Sequence, residues 1–127
     1  MKANEFRFVF TARDFDRSVS FYEQTLKMKR IGGWDRQDSR GALLSAGGNA
    51  VVEILGAASG ATYEGPAPSG MFLAIEVEEV DSWYQRLADA GVEIAGPPQD
   101  QPWGHRTFRM RDPDGVSIAL YSVIRAG

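Results

Sequence analysis

The chain has 127 residues, enough for one ordinary domain with a buried core and too few for two independent ones. Its 17 acidic and 14 basic side chains give a net charge of −3, without the basic excess that nucleic acid or anionic lipid attracts. Zero cysteines and one histidine exclude disulfides, thiolate metal sites and sites built from several histidines. No apolar run approaches the roughly 20 residues of a membrane helix, and the first residues lack a secretory signal. We therefore expect a cytoplasmic protein that binds neither nucleic acid nor membrane.

The first half of the chain predicts a strand, a helix and three further strands. Phenylalanines at 6, 8 and 10 alternate with Arg7, Val9 and Thr11, which is the period of a strand with one fully apolar face. A stripe of helical period then predicts a helix of about eleven residues, which Asp14 or Asp16 can cap. Glycines next separate short strands around Trp34, at 42–45 and at 50–55.

After a stretch rich in Gly, Ala, Ser and Pro at 56–70, the same pattern restarts. Alternation over 72–77 predicts a strand, followed by a helix that Asp81 can cap and Gly91 can end. Three more strands are predicted at 92–95, 107–111 and 116–123.

A shift of about 65 residues superimposes the two patterns and indicates an internal repeat. It aligns Asp14 with Glu79 and Phe15 with Val80. We therefore predict one α+β domain over residues 1–127, made of two β-α-β-β-β modules at about 5–56 and about 70–124 with a linker at about 57–69. Each module is too small to bury its own sheet and helix, so the modules must pack together, within one chain or between chains.

Two stretches resemble a known superfamily. Residues 9–22 read VFTARDFDRSVSFY and are followed by Leu26, which resembles the opening of the vicinal oxygen chelate superfamily. This superfamily includes glyoxalase I, extradiol dioxygenases, fosfomycin resistance enzymes and bleomycin-resistance proteins. Residues 101–108, QPWGHRTF, run into RDPDG at 111–115 and resemble the bleomycin-resistance branch more narrowly.

The resemblance implies a cup-shaped mixed sheet in each module, with two cups completing a cavity within a chain or across a dimer. It also implies four metal-ligand positions, normally His or Glu, on the first and last strands of each module. Here these positions fall on Arg7, Glu53, Phe72 and Ala119. Only Glu53 is a ligand type, and an arginine repels a metal cation. We therefore predict a protein with no metal and no other cofactor.

The same alignment predicts a ligand site. Arg7 and Glu53 are expected to form an ion pair in the cup, either as neutralised filler or to recognise a carboxylate, phosphate or polarised carbonyl. A floor of alanines is expected to accept a flat aromatic ligand between aromatic walls, although each aromatic is alternatively a core residue. These walls are Trp34, Phe72 and Tyr121.

Trp103 and His105 complete the predicted site. Trp103 lies between Pro102 and Gly104 at a loop-to-strand junction. By resemblance to the bleomycin-resistance branch it lines a crevice where planar antibiotic rings stack; alternatively it plugs the end of the sheet. His105 is either a general acid or base, or a surface or hydrogen-bonding histidine without a catalytic role.

The sequence therefore predicts a homodimeric, metal-independent binding protein for antibiotic-like or aromatic small molecules, acting by sequestration or transport. The alternative is an enzyme of the same superfamily with an atypical active site, such as a lyase, an isomerase or a dioxygenase-like enzyme. In that alternative Glu53 or His105 would act as a base, or displaced ligands would hold a metal. The pattern assigns no catalytic residue and leaves the ligand open.

Overall fold

The first of two units, Met1–Pro66, folds as a strand, a helix and three further strands. The computed structural model describes residues 1–59 and 61–125. One sheet, ordered β1-β4-β3-β2, contains β1 (Phe6–Thr11), β2 (Lys29–Asp35), β3 (Ser39–Gly47) and β4 (Ala50–Ala57). Strands β1 and β4 are parallel, and the other pairs are antiparallel. The sheet is therefore mixed, as predicted.

The helix of this unit packs on one face of its sheet. Helix α1 (Phe15–Ser20) continues into a π-helical turn (Phe21–Thr25), so that together they have the predicted length. Asp14 is the N-cap, and its carboxylate accepts a hydrogen bond from the Arg17 N–H at 3.2 Å. Tyr22 is fully buried, with its ring centroid 6.0 Å from that of Phe10 in β1. These contacts form the core of the unit and leave the other face of the sheet without a helix.

The second unit, which begins at Ala67, repeats this order. It consists of β5 (Phe72–Glu76), α2 (Val80–Asp89), β6 (Glu93–Ile94), β7 (Gln99–Asp100), β8 (His105–Arg111) and β9 (Ser117–Val123). The sheet order is β5-β9-β8-β6, with β7 added on β8, and β5 and β9 are parallel. The predicted repeat is thus confirmed, while the two-residue strand β7 was not predicted.

The predicted cap of α2 is wrong. The helix begins at Val80, so that Asp81 lies inside its first turn, and the N-cap is Glu79 in a left-handed conformation with φ 53°. The side chain of Glu79 forms no capping hydrogen bond with the helix. Instead the Val80 N–H donates to Ser122 Oγ at 3.0 Å, and this hydroxyl donates to the Val77 carbonyl at 2.7 Å. Ser122, a residue of β9, therefore caps the helix in place of the predicted Asp81.

Alternation along β8 and β9 separates the two faces of the second sheet. Phe108 and Ile118 are buried on the side of α2, and the Tyr84 ring of the helix meets the Phe108 ring edge-on at 5.5 Å. We call the opposite side the open face of the second unit. The register places these residues on it: Phe72, Ala74 and Glu76 of β5, Ser117, Ala119, Tyr121 and Val123 of β9, and His105, Thr107, Arg109 and Arg111 of β8. The predicted floor and two of its walls therefore share a face.

Candidate ligand-binding site

The predicted ion pair is present on the sheet of the first unit. Val9 is the register partner of Glu53, so Arg7, two residues earlier, lies on the same face as this carboxylate. Arg7 Nη1 donates to Glu53 Oε1 at 2.9 Å, and Arg7 Nε donates to Glu5. The pKa of Arg7 is raised by the hydrogen bond with Glu5 and then by that with Glu53. Two carboxylates engage one guanidinium, which leaves it little free charge for an anionic ligand.

This pair is accessible to solvent within its unit. The Arg7 side chain is 42% exposed and that of Glu53 is 16% exposed. A pair with one exposed member carries a smaller desolvation cost than a fully buried pair. The arrangement therefore favours a pair whose charges neutralise each other over a pair that recognises a ligand.

Trp34 lies on the same face of this sheet as Arg7 and Glu53, in space that a glycine leaves free. A Cβ at Gly41, its register partner in β3, would overlap the indole ring. The indole N–H donates to Ser39 Oγ at 3.2 Å. Trp34 is therefore fixed by its own hairpin.

The four expected ligand positions do not fit a metal ion. Glu53 is the register partner of Val9, and Ala119 is that of Ala74, which places the two at the same position of their units. The guanidinium of Arg7, the ring of Phe72 and the methyl group of Ala119 offer no metal donor, so one carboxylate stands alone. Within residues 1–59 and 61–125, no three His, Cys, Asp or Glu side chains are grouped as a metal ion requires.

Two stacked pairs lie on the open face of the second unit. The Arg109 guanidinium carbon is 3.8 Å from the centroid of the Phe72 ring. The rings of His105 and Tyr121 stack with centroids 4.1 Å apart and planes inclined by 16°. Strand β9 separates Arg109 from Phe72, and its small residue Ala119 leaves the arginine room to cross.

A cavity of about 350 Å³ opens beside the first of these pairs. Its size falls in the range of small-molecule sites. Segment 95–97 forms one side, and the other lining residues include Gln99, Gln101, Trp103, Thr107 and Arg109. Aromatic, amide, hydroxyl and cationic groups thus surround a space large enough for a small planar molecule.

Trp103 stands at the tip of the turn that joins β7 to β8. The Gly104 N–H donates to the Gln101 carbonyl at 3.1 Å, and the Gln101 N–H donates to the His105 carbonyl at 2.7 Å. Trp103 is 66% exposed, so it does not plug the end of the sheet. Glycine suits position 104, where φ is +90°.

Arg106 supports the base of this turn from the helix side. Its Nε lies 3.1 Å from Asp81 in α2, and its Nη1 lies 3.0 Å from Asp100 in β7. Hydrogen bonds with Asp100 and then Asp81 raise the pKa of Arg106. This bridge ties the strand before Trp103 to the helix.

The predicted site residues divide between the two units. Arg7, Trp34 and Glu53 lie in the first unit, and Phe72, Trp103, His105 and Tyr121 lie in the second. The structure brings Arg7 onto Glu53 and His105 onto Tyr121, and it places Trp103 at the cavity. Among the described residues, the side chain of His105 makes a ring stack with Tyr121 and finds no partner for proton transfer.

Sequence reasoning missed Arg109 and the two glutamines of the cavity. The signal for Arg109 was available, because residues 107–111 alternate polar and apolar side chains and place Arg109 on the face of Thr107. Gln99 gave no signal, since a two-residue strand is too short to show a period.

A family model described as "Glyoxalase/Bleomycin resistance protein/Dioxygenase superfamily" matches residues 6–120. The chain therefore belongs to this superfamily, and the resemblance seen in its sequence is confirmed. Its β-α-β-β-β units are those of the glyoxalase fold.

Relatives extend this comparison. The uncharacterized protein YraH of Bacillus subtilis (strain 168) is 31% identical over 120 residues, which cover 87% of this chain and 91% of YraH. Glyoxalase I of Zea mays matches with a TM-score of 0.81 at 20% identity, over 97% of this chain and 46% of that one. TnmS3, an antibiotic binding protein from Streptomyces sp. CB03234, matches with a TM-score of 0.75 at 21% identity, over 96% of this chain and 97% of TnmS3. The two solved structures share the fold with this protein.

Proposed function

We propose that this protein binds small planar aromatic molecules, such as antibiotics or aromatic metabolites, without a metal ion. Binding would sequester or transport the ligand. The observation that carries the proposal is the exposed Trp103 beside a cavity of about 350 Å³ on the second unit. A large indole surface left in water at a concave site favours stacking with a flat ligand.

The chemistry of the expected metal positions supports binding over catalysis. A lyase or dioxygenase of the metal-dependent kind needs several donors around its ion, and these positions supply one carboxylate. His105 faces a tyrosine ring at 4.1 Å, an arrangement that does not orient a base toward a substrate. The likeness to TnmS3, an antibiotic binding protein, points in the same direction.

We further propose that the functional form is a homodimer. Several large apolar side chains are exposed, including Phe6, Ile31 and Met71. Such exposure is typical of surfaces that contact another protein. The chain also covers 46% of maize glyoxalase I, a chain long enough to hold this fold twice.

Quenching of tryptophan fluorescence tests the proposal, with 9-fluorenone-2-carboxylate and 9-fluorenone-2-carboxamide as flat probes. We expect saturable quenching in the wild type and a loss of affinity of roughly tenfold or more in Trp103→Ala, because a stacking partner is removed. Trp83→Phe is the matched control, since Trp83 lies in α2 under the guanidinium of Arg86, 4.1 Å away, and does not line the cavity.

The control variant should keep the affinity of the wild type for both probes. Equal affinities in Trp103→Ala and the wild type would contradict a site at this tryptophan. If chromatography shows that the protein consumes either probe, this result would instead favour an enzyme of the same superfamily.

A further inference from the structure

We propose that Arg109 is an anion anchor, so that the ligands of this protein are planar aromatic molecules that carry a carboxylate. This inference rests on the proposed binding function and names the chemical class of its ligand. It is carried by the placement of one guanidinium on the open face of the second unit.

Arg109 is a cation that no carboxylate neutralises within the described parts of the chain. Five other arginines form ion pairs with Asp or Glu at 3.3 Å or less: Arg7, Arg30, Arg40, Arg106 and Arg111. Arg109 lies on a face whose nearest arginine, Arg111, is engaged by Glu93 at 3.2 Å and donates to the Gly115 carbonyl at 3.0 Å. Glu76 also lies on this face, as the register partner of Tyr121, and forms no ion pair with Arg109. Arg109 is therefore the arginine of this face without an acidic partner among the described residues.

The stack on Phe72 orients this cation without using its donors. The guanidinium carbon lies 3.8 Å from the ring centroid, so the phenyl face supports the group and restricts its rotation. A phenyl ring accepts no ordinary hydrogen bond, and a guanidinium has five N–H donors in a planar fork. The fork remains available to a carboxylate, which it matches in a bidentate geometry.

Three neighbouring cavities meet at Arg109. The cavity beside Trp103 measures about 350 Å³, a second measures about 220 Å³ and a third, beside Phe72, about 360 Å³, and Arg109 lines all of them. Among the described residues that line the first cavity, Arg109 is the only charged one. A ligand held there by its carboxylate would direct its aromatic body along the open face toward Trp103.

The remaining lining groups fit such a ligand. Gln99 and Gln101 have side-chain amides that bond no other described residue, and both can meet polar substituents of the ring. The Thr107 hydroxyl donates to the Leu120 carbonyl at 2.9 Å and can still accept a bond. Among the described lining residues of this cavity, a carboxylate would therefore meet one cation, neutral partners and no acid.

Calorimetric titration with the two fluorenone probes tests the anchor, because they differ only in the charge of one planar group. We expect the wild type to bind the carboxylate roughly tenfold or more tightly than the carboxamide, since a charge-assisted bidentate pair adds about that much. Arg109→Gln should lose this preference, because the substitution should weaken the binding of the carboxylate probe and leave that of the carboxamide unchanged. Arg109→Lys should keep part of it, because charge remains and the fork is lost.

Arg86→Gln is the matched control. Arg86 stacks on Trp83 at 4.1 Å on helix α2, so this variant loses the same charge and the same kind of stack away from the cavities. It should keep the full preference of the wild type. Thermal unfolding of each variant checks that the fold is retained, as expected for an exposed side chain.

The outcomes separate this inference from the proposed function. Equal affinities of the wild type for both probes, with both lost in Trp103→Ala, would overturn the anchor and leave the binding function in place. Binding of neither probe would overturn the binding function and the anchor with it. A preference for the carboxylate that survives in Arg109→Gln would assign the anion to another group and overturn the anchor.

Discussion

At the scale of residues, small residues leave the space that larger side chains occupy on the sheet faces without a helix. Trp34 lies over Gly41, and Arg109 crosses Ala119 to reach Phe72. A small residue on a central strand lets a long or flat side chain from one neighbouring strand cover it. The aromatic surfaces of this protein therefore depend on residues that contribute almost no surface themselves.

Gly41→Ala tests this dependence. Its Cβ would overlap the indole of Trp34, so we expect the variant to displace the ring and lose about 1–3 kcal/mol of unfolding free energy. Denaturant unfolding gives the loss, and the emission maximum of Trp34 in a Trp83→Phe, Trp103→Phe background reports the displacement.

The double variant Gly41→Ala, Trp34→Ala is the control for the mechanism. With the ring removed, the added methyl group has nothing to overlap, so adding Gly41→Ala to Trp34→Ala should cost far less than adding it to the wild type. Equal costs in both backgrounds would show that strand propensity or another contact is responsible.

At the scale of elements, the two units start equivalent helices in different ways. The repeat aligns Asp14 with Glu79, and both are N-caps, yet only Asp14 bonds its own helix. In the second unit the hydroxyl of Ser122 connects Val77, before the helix, with Val80, its first residue. Strand β9 thus fixes the start of α2.

Ser122→Ala should therefore destabilise the protein by about 1–2 kcal/mol, because the Val80 N–H and the Val77 carbonyl lose their partner in a half-buried place. Thermal or denaturant unfolding measures the loss. Ser117→Ala, in the same strand, is the matched control, since Ser117 forms no side-chain hydrogen bond with a described residue. Similar losses in both variants would contradict a capping role.

Strands and helices could be predicted from the sequence, whereas contacts between distant elements could not. Long alternating or helical stripes, such as 6–11 and the stripe that contains Tyr22, predict their strand and helix because burial on one face imposes a period. The cap of α2 was missed because its partner, Ser122, lies more than 40 residues away in the chain. The stack of Arg109 on Phe72 was missed for the same reason: it depends on strand order and on a small residue between the two.

At the scale of the whole molecule, the repeat gives two sheets, each with a helix on one face. In each unit the helix covers one side of a mixed sheet, and large apolar side chains such as Phe6 and Met71 remain exposed. A homodimer would bury such side chains. Light scattering coupled to size-exclusion chromatography should give twice the monomer mass at micromolar concentration. A monomer mass across the accessible concentration range would contradict the dimer.

We expect this member of a superfamily with metal enzymes to bind its ligand through Arg109 and Trp103 and without a metal ion. The most direct test is calorimetric titration of 9-fluorenone-2-carboxylate into protein treated with EDTA, and into the same protein after addition of Zn²⁺, Mn²⁺, Ni²⁺ or Fe²⁺, with the metal content measured in each sample. We predict the same dissociation constant in every sample and metal far below one ion per chain after purification. Binding that appears only when a stoichiometric metal is restored would contradict the claim.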